Sequence, residues 1–208
     1  MKPASLVLVH GAGSGPYVFA DWVHAFSGVR TTAVDLHEGL VVAVASMHDY
    51  AERVVHAATR LPQPVSFCGW SMGGLVALLA ANRIDTHSLA LIEASPPAEV
   101  QGFHPGVVPV PGTFDPEDVY GAFPAGMRAR SESSYARGER KRGISVPTVP
   151  CPVLVIYGSE FRDERGRALA RFYDAEERAF PDLDHWGLVR DPRVRATVAR
   201  FLDVQSPA

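Results

Sequence analysis

Along most of the chain, short apolar segments alternate with longer segments of mixed polarity. The short runs are apolar throughout, which is typical of strands buried on both faces of a parallel sheet. The longer segments carry apolar residues at spacings of three and four, which predicts amphipathic helices. The predicted strands are 6–9, 31–36, 65–70, 88–92, 153–157 and 177–180, and the predicted helices are 18–26, 46–61, 75–81, 168–173 and 191–202. This alternation predicts an α/β fold with a mostly parallel sheet of about six strands and helices on both faces.

The pattern changes between residues 96 and 150. The first half of this segment is rich in proline and glycine and lacks any strand that could extend the sheet. We therefore expect a lid at 96–150, inserted into a core formed by residues 1–95 and 151–208.

Two helices are predicted within the lid. Asp115-Pro116 is typical of a helix start, and a longer polar helix is expected over 125–141. On that helix Arg130, Arg137 and Lys141 would share one face. Such a basic stripe is either an ordinary solvated surface or a patch that attracts acidic substrates.

Composition narrows the classes of function. Lys and Arg total 20 against 23 Asp and Glu, a net charge of −3, so nucleic acid is not expected as a partner. The two cysteines, Cys68 and Cys151, are too few for a disulfide framework and lack metal-ligand spacing. The apolar run 6–9 is too short for a signal sequence, and no run approaches the ~20 residues that span a bilayer. We expect a cytoplasmic protein without a metal site or membrane association.

The candidate chemistry centres on Gly69-Trp70-Ser71-Met72-Gly73. A predicted strand precedes this G-x-S-x-G motif and a predicted helix follows it, which is the context of a nucleophile elbow. The turn would strain Ser71 and expose its hydroxyl, and the two glycines would avoid collisions of Cβ atoms. The alternative is a glycine-rich connection in which Ser71 merely caps the helix.

A second glycine-rich stretch, His10-Gly11-Ala12-Gly13, follows the first predicted strand. The N–H of Ala12, together with that of Met72, would form an oxyanion hole. The alternative is a phosphate loop, but the stretch has neither the G-K-[S/T] ending nor the G-x-G-x-x-G spacing. Among eight histidines, His185 is predicted in a loop just past the last strand, where the carboxyl ends of the strands gather.

With His10-Gly11, the Ser71 motif and Asp184-His185-Trp186 in this chain order, the sequence resembles the α/β-hydrolase fold superfamily. The resemblance covers nearly the whole chain, although the antiparallel strand pair that commonly opens the family's sheet is missing.

The resemblance also raises the question of the triad acid, because the family's usual position for it is Phe161 here. Some members carry the acid after the strand that precedes the lid, and Glu93 matches that placement. We favour Glu93 over Glu160 and Asp163, whose spacing is out of step. The alternative for Glu93 is a strand-end carboxylate that holds the lid.

The resemblance implies acyl transfer to water, with Ser71 as nucleophile and His185 as general base. It implies no metal and no organic cofactor, and it favours a small-molecule ester or thioester as substrate. Lactone opening, carbon-carbon bond hydrolysis, cyanohydrin cleavage and perhydrolysis use the same triad and stay open. So does a hydrolase-fold sensor or partner-binding protein with little turnover. The oligomeric state is not assigned.

Overall fold

A computed structural model describes residues 2–203 of the chain. The strands are β1 (Ser5–Val9), β2 (Arg30–Val34), β3 (Val65–Trp70), β4 (Thr86–Ile92), β5 (Thr113–Phe114), β6 (Glu132–Ser133), β7 (Val153–Tyr157) and β8 (Glu176–Ala179). The helices are α1 (Met47–Ala58), α2 (Met72–Ala81), α3 (Ala98–Gln101), α4 (Pro116–Tyr120), α5 (Ser134–Arg142), α6 (Ala168–Phe172), α7 (His185–Arg190) and α8 (Pro192–Phe201). Short 3-10 turns cover Pro16–Phe19 and Val42–Val44, and a π-helical turn covers Arg162–Arg167.

Within residues 2–203, six strands form one sheet in the order β2-β1-β3-β4-β7-β8. Every neighbouring pair in it is parallel, so the α/β architecture predicted from the sequence is confirmed. The predicted lid, 96–150, lies between β4 and β7 in the chain. Its two short strands, β5 and β6, pair with each other in an antiparallel ribbon outside the main sheet.

Side chains that alternate along the strands divide the core into two layers. In β1, Val7 and Val9 belong to an apolar cluster shared with α1 and α2, whereas Leu6 and Leu8 belong to a second cluster shared with α8. All ten residues of α2 are buried. The helix that follows the elbow is therefore packed on all sides, and this packing restrains the position of Ser71.

The start of α1 agrees with the prediction from the sequence. The side chain of Ser46 accepts a hydrogen bond from the Asp49 N–H at 3.0 Å, and the Asp49 carboxylate accepts one from the Ser46 N–H at 2.8 Å. Such a capping box satisfies two N–H groups at the end of a helix. Asp115 likewise caps α4, whose first residue is Pro116, as predicted.

The prediction of a helix over residues 18–26 is wrong. A 3-10 turn ends at Phe19, and irregular turns follow it, although Trp22 and Phe26 are buried as their spacing implied. The Trp22 indole N–H donates to the backbone oxygen of Val189 at 2.7 Å. Contacts with α7 and α8 therefore bury these residues without the regular helix that the spacing predicted.

The polar helix predicted over 125–141 begins only at Ser134. Ser133 caps it by accepting the Ala136 N–H at 3.0 Å, and the residues before it pair with β5. Arg130 therefore lies outside the helix and forms an ion pair with Asp35 at 2.9 Å. The basic stripe of Arg130, Arg137 and Lys141 does not exist as predicted.

Both cysteines are unpaired. Burial raises the pKa of the Cys68 thiol and raises that of Cys151 to about 11. The helices within residues 2–203 are all too short or too polar to cross a membrane.

Candidate active site

Ser71 joins β3 to α2 in a strained conformation. Its φ of 57° and ψ of −125° lie outside the regions that non-glycine residues usually adopt. Three backbone hydrogen bonds hold this geometry: the Ser71 N–H donates to Ile92 at 3.0 Å, and the Ser71 carbonyl accepts from Gly74 at 3.0 Å and from Ser95 at 2.9 Å. Neighbouring segments thus hold the strained turn in place.

The glycines of the motif allow this turn to pack against the sheet. A Cβ on Gly69 would lie 2.4 Å from the Gly73 carbonyl oxygen, and a Cβ on Gly73 would lie 2.2 Å from the carbonyl oxygen of Val9. Both distances are well below van der Waals contact. The sharp turn at Ser71 therefore requires glycine on each side.

Glu93 and His185 are in direct contact. His185 Nδ1 donates to Glu93 Oε2 at 2.5 Å. The other ring nitrogen, Nε2, bonds to no residue in the described part of the chain, and His185 lines the same cavity as Ser71. A carboxylate on Nδ1 favours the tautomer whose Nε2 is free to accept a proton.

The Glu93 carboxylate is fully buried. The second carboxylate oxygen, Oε1, accepts a hydrogen bond from the Gly158 N–H at 3.0 Å. The backbone N–H of Glu93 donates to the Ile156 carbonyl oxygen at 2.7 Å. Glu93 also has a positive φ of 43°, which turns the chain at the end of β4. A buried carboxylate needs partners for both oxygens, and here the partners are His185 and Gly158, the residue after β7.

The other candidate acids do not contact His185. Asp163 is exposed and pairs with Arg167 at 3.6 Å. Glu160 lines the cavity, but it makes no hydrogen bond or ion pair with His185. The rings of Phe161 and His185 make a T-shaped contact, with 5.6 Å between the ring centroids. An aromatic contact thus occupies the place where the family usually carries its acid.

His185 is the first residue of α7, so its prediction in a loop is wrong. The Asp184 side chain caps α7 by accepting the Gly187 N–H at 2.5 Å. The Trp70 indole N–H donates to the His185 backbone oxygen at 3.1 Å. The Asp184 cap was a signal in the sequence that could have revealed this helix.

Ala12 and Met72, the predicted oxyanion donors, lie beside Ser71. Ala12 lines the cavity with Ser71, and Met72 opens α2. Within residues 2–203, neither backbone N–H donates to another protein group. An N–H at the start of a helix favours negative charge. The two amides are therefore available to a ligand atom.

The loop that carries Ala12 is tied to the lid through Glu132, which the sequence analysis missed. Glu132 is fully buried and accepts hydrogen bonds from the Gly13 N–H at 2.8 Å and the Tyr50 hydroxyl at 2.5 Å. His37 Nε2 lies 3.4 Å from it. Burial by itself would raise the pKa of Glu132, but the hydrogen bonds from His37, Tyr50 and Gly13 lower it to about 2.

Ser71 and His185 open into a cavity of about 400 Å³. Its walls include apolar side chains from the lid and α7, among them Val119, Phe123 and Trp186. Two guanidinium groups, those of Arg140 and Arg165, also line it. No sequence pattern predicts that these arginines lie together, because one lies in the lid and the other follows β7.

Comparisons with known proteins bear on the fold and the family. A model of the alpha/beta hydrolase family matches residues 6–198. A curated pimeloyl-[acyl-carrier protein] methyl ester esterase from Aromatoleum aromaticum is 36% identical over 102 residues, 46% of this chain and 39% of that protein. The chain thus aligns with about two fifths of that relative's length.

Solved structures share the fold at low identity. A carboxylesterase structure from the thaumarchaeon Nitrososphaera gargenis superposes with a TM-score of 0.69 at 18% identity, covering 97% of this chain and 90% of the other. The RedJ thioesterase of the prodiginine pathway in Streptomyces coelicolor has a TM-score of 0.67 at 19% identity, covering 97% and 90%.

Proposed function

Since the chain belongs to the alpha/beta hydrolase family, we propose that it is a serine hydrolase that cleaves a small-molecule carboxylic ester. Ser71 is the nucleophile and forms the acyl-enzyme. His185 is the general base, Glu93 orients it, and the N–H groups of Ala12 and Met72 stabilise the oxyanion.

The single observation that carries the proposal is the 2.5 Å contact between Glu93 and His185, with His185 and Ser71 on one cavity. In the first step His185 Nε2 takes the Ser71 proton as Oγ attacks the ester carbonyl. The tetrahedral intermediate collapses, the protonated His185 gives its proton to the alkoxide leaving group, and the alcohol departs. Water then attacks the acyl-enzyme with the same base and releases the acid.

The ester specificity is part of the proposal. The methyl ester esterase among the curated relatives supports carboxylic ester hydrolysis. A thioester is the second candidate, because the same steps apply when a thiolate leaves. Ester and thioester substrates of the same acyl group distinguish the two by their kcat/KM values.

The test is a burst experiment with a short-chain 4-nitrophenyl ester, followed by intact-mass analysis of the quenched protein. We expect a burst and a mass increase equal to the acyl group. Both should be lost in Ser71→Ala. Ser133→Ala is the control, because Ser133 is a buried serine that caps α5 away from the cavity. If no adduct forms with any acyl length, the hydrolase proposal is wrong and a binding protein without turnover is favoured.

A further inference from the structure

Basic side chains gather at one end of the active-site cavity. A second cavity, of about 170 Å³, shares Tyr120, Arg140 and Arg165 with the first. Arg137 and Lys141 also line it. Among the described residues, no aspartate or glutamate lines this second cavity. Among the described residues that line the larger cavity, Glu160 is the one acidic side chain.

Arg140 is held beside the nucleophile. One guanidinium nitrogen donates to the Ser95 hydroxyl at 3.1 Å, and the other donates to the Tyr120 hydroxyl at 2.7 Å. The Ser95 N–H in turn donates to the Ser71 carbonyl. Within residues 2–203, no carboxylate lies within ion-pair distance of Arg140. Neutral hydroxyl groups thus position the cation, and no described carboxylate pairs with it.

Arg165 lies against the Phe161 ring. Its guanidinium carbon is 3.9 Å from the ring centroid, and the same ring makes a T-shaped contact with His185. The guanidinium makes no hydrogen bond and no ion pair with any residue that the structure describes. Burial, and after it the charge of Arg140, lowers the pKa of Arg165, while the charges of Glu93 and Glu164 act in the opposite direction.

Arg140 and Arg165 form no ion pair with a described residue, so only carboxylates beyond ion-pair distance, such as Glu93 and Glu164 near Arg165, offset their mutual repulsion. Partly buried charges are normally paired, and an arginine stacked on an aromatic ring still presents its planar donors at its edge. Arg137 has an unsatisfied hydrogen-bond donor as well, because its Nε is buried without a partner. A bound anion would satisfy these donors and reduce the repulsion.

We propose that Arg140 and Arg165 bind a free carboxylate at the end of the substrate's acyl chain. The substrates would then be monoesters of dicarboxylic acids. This inference rests on the proposed function and names its substrate class. A carboxylate is planar and accepts two parallel N–H donors, so it matches a guanidinium group. A cavity of about 400 Å³ suits a small molecule.

The kinetic test compares mono(4-nitrophenyl) adipate with 4-nitrophenyl hexanoate, which have the same acyl length and differ by the terminal carboxylate. We expect kcat/KM to be at least about tenfold higher for the adipate ester, the effect of one or two charged hydrogen bonds. Arg165→Gln and Arg140→Gln should each lower the adipate-to-hexanoate ratio by about tenfold or more. Arg162→Gln, an exposed arginine on the same turn that lines neither cavity, should leave the ratio unchanged.

A binding measurement keeps this inference separate from the proposed activity. Calorimetric titration of Ser71→Ala with adipate should give binding that Arg165→Gln weakens by about tenfold, while hexanoate binds more weakly. A wild-type ratio near one with active hydrolysis of hexanoate would overturn the carboxylate site and leave the serine hydrolase intact. Tighter binding of inorganic phosphate than of adipate would overturn the choice of a carboxylate. Adipate binding without an acyl adduct would support the site and refute the hydrolase.

Discussion

Trp70 holds His185 in two ways. Its indole N–H donates to the His185 backbone oxygen at 3.1 Å, and its ring packs against the imidazole with 4.9 Å between centroids. Trp70 directly precedes the proposed nucleophile on β3, whereas His185 opens α7. One side chain therefore links two distant parts of the chain that act together in the proposed mechanism.

We expect Trp70→Phe to lower kcat by about tenfold, because misplacing the base by a fraction of an ångström weakens proton transfer. Trp22→Phe is the matched control, since the Trp22 indole is also buried and donates to a backbone oxygen, that of Val189, but does not line the cavity. Steady-state kinetics and thermal unfolding of both variants provide the measurement. If both lower kcat equally, the effect of Trp70 is one of general stability.

Replacing the proposed triad acid should be far more damaging. In Glu93→Gln the carboxylate that accepts from His185 Nδ1 is replaced by a neutral amide, so we expect kcat to fall by about 10³–10⁴-fold. Glu160→Gln should stay within about threefold of wild type, since Glu160 lines the cavity without contacting the imidazole. Measured with a neutral ester, the reverse ranking would refute Glu93 as the orienting residue.

The elements that carry strong periodic patterns were predictable. β1, β3, β7 and the buried helix α2 follow from apolar runs, and the elbow follows from the glycines around Ser71. The family and the parallel sheet are confirmed by the family match and the observed strand order. The catalytic roles, the lid as a separate unit and the cytoplasmic location stay predictions.

What the sequence could not reveal depends on contacts between distant residues. The spacing of Phe19, Trp22 and Phe26 predicted a helix, but their burial comes from packing against α7 and α8. In the sequence, Arg165 is one of several charged residues in a polar stretch. In the fold it stacks on Phe161 and lines the same cavity as Arg140 of the lid. Glu132 looks like an ordinary lid carboxylate, and its partners Gly13 and Tyr50 lie 119 and 82 positions away. No local pattern encodes such pairings.

The close packing of the elbow gives a prediction about stability. Gly73→Ala would place a Cβ 2.2 Å from the Val9 carbonyl oxygen, so β1 and α2 must separate. We expect the free energy of unfolding in urea to fall by at least ~2 kcal/mol. Gly106→Ala is the control, because a Cβ there meets no atom within 4 Å and the backbone is not strained. Equal stability of the two variants would contradict the observed packing.

The buried carboxylate of Glu132 predicts a dependence of stability on pH. Its pKa is lowered to about 2 in the folded protein, from an ordinary 4.5. The ionised form therefore stabilises the fold above about pH 4.5, and this stabilisation is lost as the pH falls toward 2. Glu132→Gln should destabilise the protein on the order of 3 kcal/mol at pH 7, and the difference from wild type should shrink as the pH decreases.

Urea unfolding between pH 7 and pH 2.5 measures this difference. Glu38→Gln is the matched control, because Glu38 is an exposed carboxylate in a surface ion pair with Arg53. It should change the free energy of unfolding by less than about 1 kcal/mol at every pH. A Glu132→Gln variant whose deficit does not depend on pH would show that Glu132 acts through its shape and not through its charge.

The hydrogen bonds of Gly13 limit how this protein could be recombined with its relatives. The Gly13 N–H donates to Glu132, and its carbonyl accepts the Arg130 N–H at 2.8 Å. A Cβ on Gly13 would also strike the Pro116 ring at 2.0 Å. A chimera that exchanged residues 96–150 for the insertion of another hydrolase would thus lose support for the loop that carries Ala12. The lid segment and the loop that carries the proposed oxyanion donor must be inherited as one block.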